Sequence, residues 1–147
     1  MNNNCLATSI IYEASISPSN SNGPPKKYIG LCETTFKKRY ANHKQSFNFE
    51  KYKHSTALST EFWKLKDANS NPQVTWKILR TAQAFKPETK KCHLCNMEKF
   101  EIAYNENPDA LLNRRSEIVN KCRHQRKYDG AMQWLTFVDV TNGEKTI

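Results

Sequence analysis

Two short Cys/His pairs constrain this 147-residue chain more than any other feature: Cys92-His93-Leu94-Cys95 and Cys122-Arg123-His124. Each pair puts two metal-ligating side chains within a few residues, and two such pairs joined by a longer stretch are the usual grammar of a closed tetrahedral zinc site. The chain carries 5 cysteines, an odd number, and begins Met1-Asn2-Asn3-Asn4-Cys5, with neither a basic start nor a long apolar run. A disulfide framework fits neither fact, whereas thiolate ligands in a reducing compartment fit both. The expectation is one structural Zn2+ held by Cys92, Cys95, Cys122 and His124, with Cys5 and His93 as substitute ligands and Cys32 in the core. Buried free thiols beside incidental histidines are the alternative.

Charge narrows the partner. Lys and Arg number 23 against 14 Asp and Glu, a formal net charge of +9, which favours a polyanion. No segment approaches the ~20 consecutive apolar residues of a membrane span. No long basic helix with a clean Trp/Phe/Leu face is visible either, so nucleic acid is preferred over a lipid surface. The basic residues cluster: Lys37 and Lys38, Arg114 and Arg115, then Lys121, Arg123, Arg126 and Lys127, with Glu117 the one acid between the last two groups. Such a run is either a solvated face or a track for a phosphate backbone, and nothing in it reads base edges. The expected setting is intracellular, nuclear in a eukaryote, and not secreted.

The element pattern is α+β. Residues 7–16 and 27–31 carry the β-branched and aromatic enrichment of strands. Between them, Pro18 to Lys27 is dense in turn formers, so the pair reads as a hairpin with an extended loop. A helix is predicted from about Thr35 to Phe47, capped by Thr34 or Thr35, with Phe36, Tyr40, His43 and Phe47 on one face. A second follows from about Thr56 to Ala68, burying Leu58, Phe62 and Leu65, and Asn69-Ser70-Asn71-Pro72 ends it. Residues 74–79 alternate as a half-buried strand, and helices are expected over about Asn96–Tyr104 and Ser116–Lys127. The predicted fold is a small three-stranded antiparallel sheet flanked by helices, with a zinc-pinned helical C-terminal part. One domain is expected over 1–127, with a core at 8–116 and a zinc-linked basic helix at 116–127. Residues 128–147, including the Trp134–Val140 run, would be a tail or a peripheral strand.

Further motifs carry a resemblance. Ile10-Ile11-Tyr12, Tyr28-Ile29-Gly30, Arg39 followed by His43, Glu98-Lys99-Phe100-Glu101-Ile102 and Asn113 together resemble the GIY-YIG nuclease domain over roughly Ile10 to Asn113. The stretch Leu112-Asn113-Arg114-Arg115-Ser116-Glu117 makes it most similar to the endonuclease domain of Penelope-like retroelements. One departure is Ile10, where the family usually has Gly, which bears on packing more than on chemistry. Penelope-like domains also often carry paired cysteines upstream of the first motif, and only Cys5 stands there.

The resemblance implies a divalent-metal-dependent DNA endonuclease, serving target-site cleavage for a mobile element beside the reverse transcriptase of a parent polyprotein. Phosphodiester hydrolysis needs charge neutralisation, an activated water and help for the leaving oxygen. Glu98 would hold Mg2+ or Mn2+, with Glu101 its nearest rival. Arg39 would grip the scissile phosphate, and His43 would shuttle a proton or bind phosphate. Tyr12 or Tyr28 would orient or deprotonate the attacking water, and Asn113 would be a supporting polar or phosphate contact. The competing reading from another class is a zinc-stabilised nucleic-acid-binding module without catalysis.

Overall fold

The computed structural model describes residues 4–20, 23–86, 88, 91–122 and 124. Strand β1 (Ile10–Pro18) is the middle of a three-stranded antiparallel sheet of order β2-β1-β3, between β2 (Lys26–Cys32) and β3 (Pro72–Thr81). The expected α+β class and three-stranded antiparallel sheet are both present.

Period-two alternation explains how one short sheet serves two cores. Ile10, Tyr12, Ala14 and Ile16 of β1 join Tyr28 and Cys32 of β2 on one face. Ile11 and Ile29 point to the other face, against Leu94 and Ile102. Ile10 and Ile11 are therefore both fully buried. The Ile10 side chain fills the first core. β3 keeps the alternation of a half-buried strand, with Val74, Trp76 and Ile78 packed inward and Gln73, Thr75 and Lys77 exposed.

Helix α1 (Phe36–Asn48) is capped by the Thr35 side chain, which accepts from the Lys38 amide. That satisfies one of the orphan amides at a helix start. Its Phe36–Tyr40–His43–Phe47 stripe lies on the first face of the sheet, and His43 is only 2% exposed. Helix α2 (Ala57–Asp67) opens with a reciprocal box between Thr56 and Ser59 and ends before Asn69, which takes a left-handed φ of 56°. Phe47 stacks on Phe62 at 4.3 Å, and Trp63 Nε1 donates to the Ser46 carbonyl at 2.8 Å, fastening α2 to α1.

The C-terminal part differs from expectation. Helix α3 runs His93–Ala103, beginning about three residues earlier than predicted, because the Cys92 sulfur caps it by accepting from the Cys95 amide. Cys95 therefore lies inside the Glu98 helix rather than ahead of it. The fourth helix, α4, covers only Ser116–Val119 before Asn120 turns extended. Lys121 and Cys122 are not helical, and the rest of that predicted helix lies outside the described residues except His124. Arg123, Arg126, Lys127 and the Trp134–Val140 run also lie outside them.

Asn113 makes a polar contact to the edge of the sheet. Leu111 bridges Lys27 in parallel, and the Leu112 amide donates to the Lys27 carbonyl at 2.7 Å. The Asn113 amide then continues this edge: its Oδ1 accepts from the Ile29 N–H and its Nδ2 donates to the Ile29 C=O, each at 2.7 Å. Those bonds make it a backbone clamp on β2, a supporting polar contact to the strand that carries Tyr28. Asn113→Ala should destabilise the fold by about 1–3 kcal/mol in urea titration, because the Ile29 pair loses its partners. Asn113→Asp should be no better, since a carboxylate cannot donate to the carbonyl. An Asp variant as stable as the parent would remove the clamp.

Candidate active site and metal centre

Tyr12 faces Gly30 across the β1–β2 ladder, and its ring lies directly over that residue. A Cβ on Gly30 would stand 2.4 Å from the Tyr12 hydroxyl and 2.5 Å from Cζ, so no side chain fits under a rigid, fully buried ring. The β1–β3 register shift between Ile11 and Tyr12 is the kind of local irregularity that re-aims a side chain.

The hydroxyl ends in a short polar chain. Arg39 has only donors, so its Nε–H goes to the phenolic oxygen at 3.1 Å. The phenol's own proton then goes to His43 Nε2 at 2.7 Å, which places the imidazole proton on Nδ1. Burial, and after it the neighbouring Arg39 charge, lowers the His43 pKa to about 3. Burial also raises Tyr12 to about 12, although Arg39 pulls it down and Glu98 adds to the rise. Arg39 thus meets a neutral imidazole and a neutral phenol at neutral pH. Its Nη groups make no hydrogen bond to the described residues.

Two clefts open beside this chain. One, of about 360 Å3, is lined by Tyr28, Arg39 and His43 together with residues of α1 and of the segment before α2. The second, of about 450 Å3, is lined by Glu98, Lys99 and Cys122 among others. Glu117 lines both. Tyr28 is 5% exposed, and its hydroxyl has no hydrogen-bond partner among the described residues. Burial raises its pKa most strongly; Tyr12 adds to the rise, Arg39 opposes it, and Glu117 and Glu98 add smaller increases.

Several expected residues can now be located. Tyr12, Tyr28, Arg39 and His43 come together on one side of the sheet. Glu98 is half-buried on α3, and its rival Glu101 is paired with Arg80. Glu117 had been read only as an acid inside a basic run. Its Oε2 accepts from the Arg114 amide at 2.7 Å, so a local N-terminal bond holds it at the cleft. Lys37, Lys38, Arg114, Arg115 and Lys121 are exposed.

The four metal-ligand candidates converge. One ligand atom from each of Cys92, Cys95, Cys122 and His124 lies within 4.8 Å of all the others. The three sulfurs stand 3.3, 3.3 and 3.9 Å from His124 Nδ1. Zn–S bonds of ~2.3 Å and a Zn–N bond of ~2.0 Å at tetrahedral angles require S···N edges of roughly 3.5 Å. The donor set fits zinc. Burial raises the Cys92 and Cys95 thiols, and a bound cation would reverse this by favouring thiolate.

His124 Nε2 meets Glu33 Oε2 at 3.0 Å. This is the carboxylate–imidazole pairing that fixes ring orientation and raises ligand basicity. Glu33 went unnoticed in the sequence because its partner is far along the chain. Cys5 is exposed, and His93 Nδ1 accepts from the Gln83 amide at 2.8 Å, so neither is in the cluster. Cys32 donates to the Thr34 and Thr35 carbonyls from within the first core.

Comparison with protein-family models, curated proteins and solved structures gives no match for this chain.

Two measurements check this geometry. Elemental analysis should return about one zinc per chain, and Glu33→Gln should weaken the metal roughly 10–100-fold in chelator competition. A metal-free protein, or unchanged affinity, would contradict the assignment. For His43, the folded pKa lies below its ordinary 6.5, so the unfolded chain takes up a proton first as pH falls. Stability should then drop from about pH 6.5 towards pH 3, by up to ~1.4 kcal/mol per pH unit from this group. His43→Gln should flatten that slope in denaturant titrations at several pH values, and an unchanged slope would place the proton uptake elsewhere.

Proposed function

We propose that this protein is a divalent-metal-dependent DNA endonuclease of GIY-YIG type, similar to the domain that opens target sites for Penelope-like elements. The observation that carries the reading is the convergence of Arg39, His43 and Tyr28 on one cleft that shares Glu117 with the Glu98 cleft, with the buried Tyr12 hydroxyl bonded to Arg39 and His43 behind it. A net charge of +9 suits a phosphate-backbone substrate.

Hydrolysis forms one bond from a water oxygen to phosphorus and breaks one bridging P–O bond. Glu98 would hold the hard cation, with Glu117 facing the same space, which suits an ion that binds through one or two carboxylates plus substrate phosphate. The cation supplies charge neutralisation and an acidified water. Arg39 binds the phosphate through its Nη groups while its Nε stays on Tyr12.

The pKa values divide the remaining roles. Burial holds the Tyr12 phenol above its ordinary pKa and the His43 imidazole below its own, so proton transfer from Tyr12 to His43 runs uphill. His43 therefore orients the phenol instead of shuttling its proton. Tyr12 is a positioning residue that aims Arg39. Tyr28, whose hydroxyl is unpartnered among the described residues and which lines the cleft, is the phenol placed to orient the water.

Zinc at the Cys92 cluster would hold α3, and with it Glu98, against the turn that carries Glu33 and leads into α1. The reverse-transcriptase partner rests on the family resemblance alone.

A second reading, the non-catalytic nucleic-acid-binding module, is favoured by the complete burial of Tyr12, 0% exposed. Glu98→Gln separates the two. With Mg2+ or Mn2+, parent protein should nick supercoiled plasmid and the variant should be slower by about a hundredfold or more, with DNA binding retained. Equal nicking, or none by either protein, would favour the binding module.

A further inference from the structure

Most of the 360 Å3 cleft has no task in cleaving a phosphodiester. Beside Arg39 and Tyr28, its lining includes Asn42, Gln45, Tyr52 and Glu117. Asn42 and Gln45 follow Arg39 on α1 at helical spacing, and both are exposed. Neither amide makes a hydrogen bond among the described residues. Each offers two donors and an acceptor in one plane, the pattern that pairs with the edge of a base. Tyr52 is half-buried, and its ring carries the Lys51 ammonium at 4.8 Å. The Tyr28 hydroxyl is a further unpartnered polar group on a side chain that is only 5% exposed.

A phosphate would engage Arg39 and leave the amides and the aromatic ring unused. A nucleobase uses all of them: every base has a π-face for Tyr52, edge atoms for the two amides, and in some cases an exocyclic amine for Glu117. The cleft has room for one nucleoside, and a base paired and stacked within a duplex cannot enter it.

Resting on the nuclease reading, we infer that this cleft is a subsite for one nucleobase unstacked from the strand being cut, stacked on Tyr52 and read by Asn42 and Gln45. Two consequences follow from the cost of unstacking. Cutting should favour frayed, mismatched or single-stranded positions, where that cost is least. A base preference should also appear at one position next to the scissile bond.

Sequencing the nick positions left on plasmid DNA tests this, using parent, Glu98→Gln, Asn42→Ala/Gln45→Ala, Tyr52→Ala and Tyr52→Phe proteins. The parent should show about a tenfold base preference at a single position, and the double variant should flatten it to less than about twofold. Tyr52→Ala should slow nicking about tenfold while Tyr52→Phe stays near the parent, because stacking needs the ring and not the hydroxyl. Melting temperatures measured alongside separate this from misfolding, since the Phe variant keeps the ring's packing. No single-position preference in the parent, or one unchanged in the double variant, overturns the subsite while Glu98-dependent nicking leaves the nuclease reading standing. Absence of Glu98-dependent nicking overturns both.

Discussion

The contact between the Tyr12 ring and Gly30 is the constraint on which the rest of the site depends. A ring with its hydroxyl 2.4 Å from where a Cβ would be permits only glycine beneath it. That close approach goes with a hydroxyl that reaches α1, where it bonds to His43 and Arg39. Without it, the ring would stand off the sheet and the hydrogen bonds to α1 would lengthen or break. The same central strand buries side chains on both faces, so α1 and α2 on one side and α3 on the other are fixed relative to one scaffold.

The Cys92–His124 cluster supplies a second, independent tie. α3 begins at the Cys92 cap, carries Cys95 in its first turn and Glu98 one turn later. Glu33, which reaches His124 Nε2, lies between Cys32 of β2 and the Thr35 cap of α1. A metal here would act on the spacing between the helix that carries Arg39 and the helix that carries Glu98. Asn113 adds a third tie, joining the segment that leads to Glu117 onto the backbone of Ile29 beside Tyr28. Three devices of different chemistry thus converge on one edge of a small sheet.

Much of this was legible from local pattern. The strands, the α1 stripe of Phe36, Tyr40, His43 and Phe47, and the two ligand pairs are repeats or spacings of a few residues, and local periodicity reports them well. What escaped depends on partners distant in sequence. Asn113 finds Ile29 across 84 residues, and Glu33 finds His124 from the far side of the chain. Glu117 sat in a basic run and looked like a solvated interruption. The early start of α3 was missed because a thiol acts as its cap, where Ser, Thr, Asp or Asn would have signalled it. The fourth helix stops early because the chain turns extended at Asn120 to bring Cys122 to the cluster.

The central claim is that a buried phenol aims a guanidinium at a phosphate. Tyr12→Phe removes one oxygen and keeps the ring over Gly30, so plasmid nicking by this variant is the direct measurement. The account predicts a folded protein that still binds DNA and nicks it on the order of a hundredfold more slowly, because misaimed groups lose most of their effect. Nicking within about threefold of the parent would contradict it.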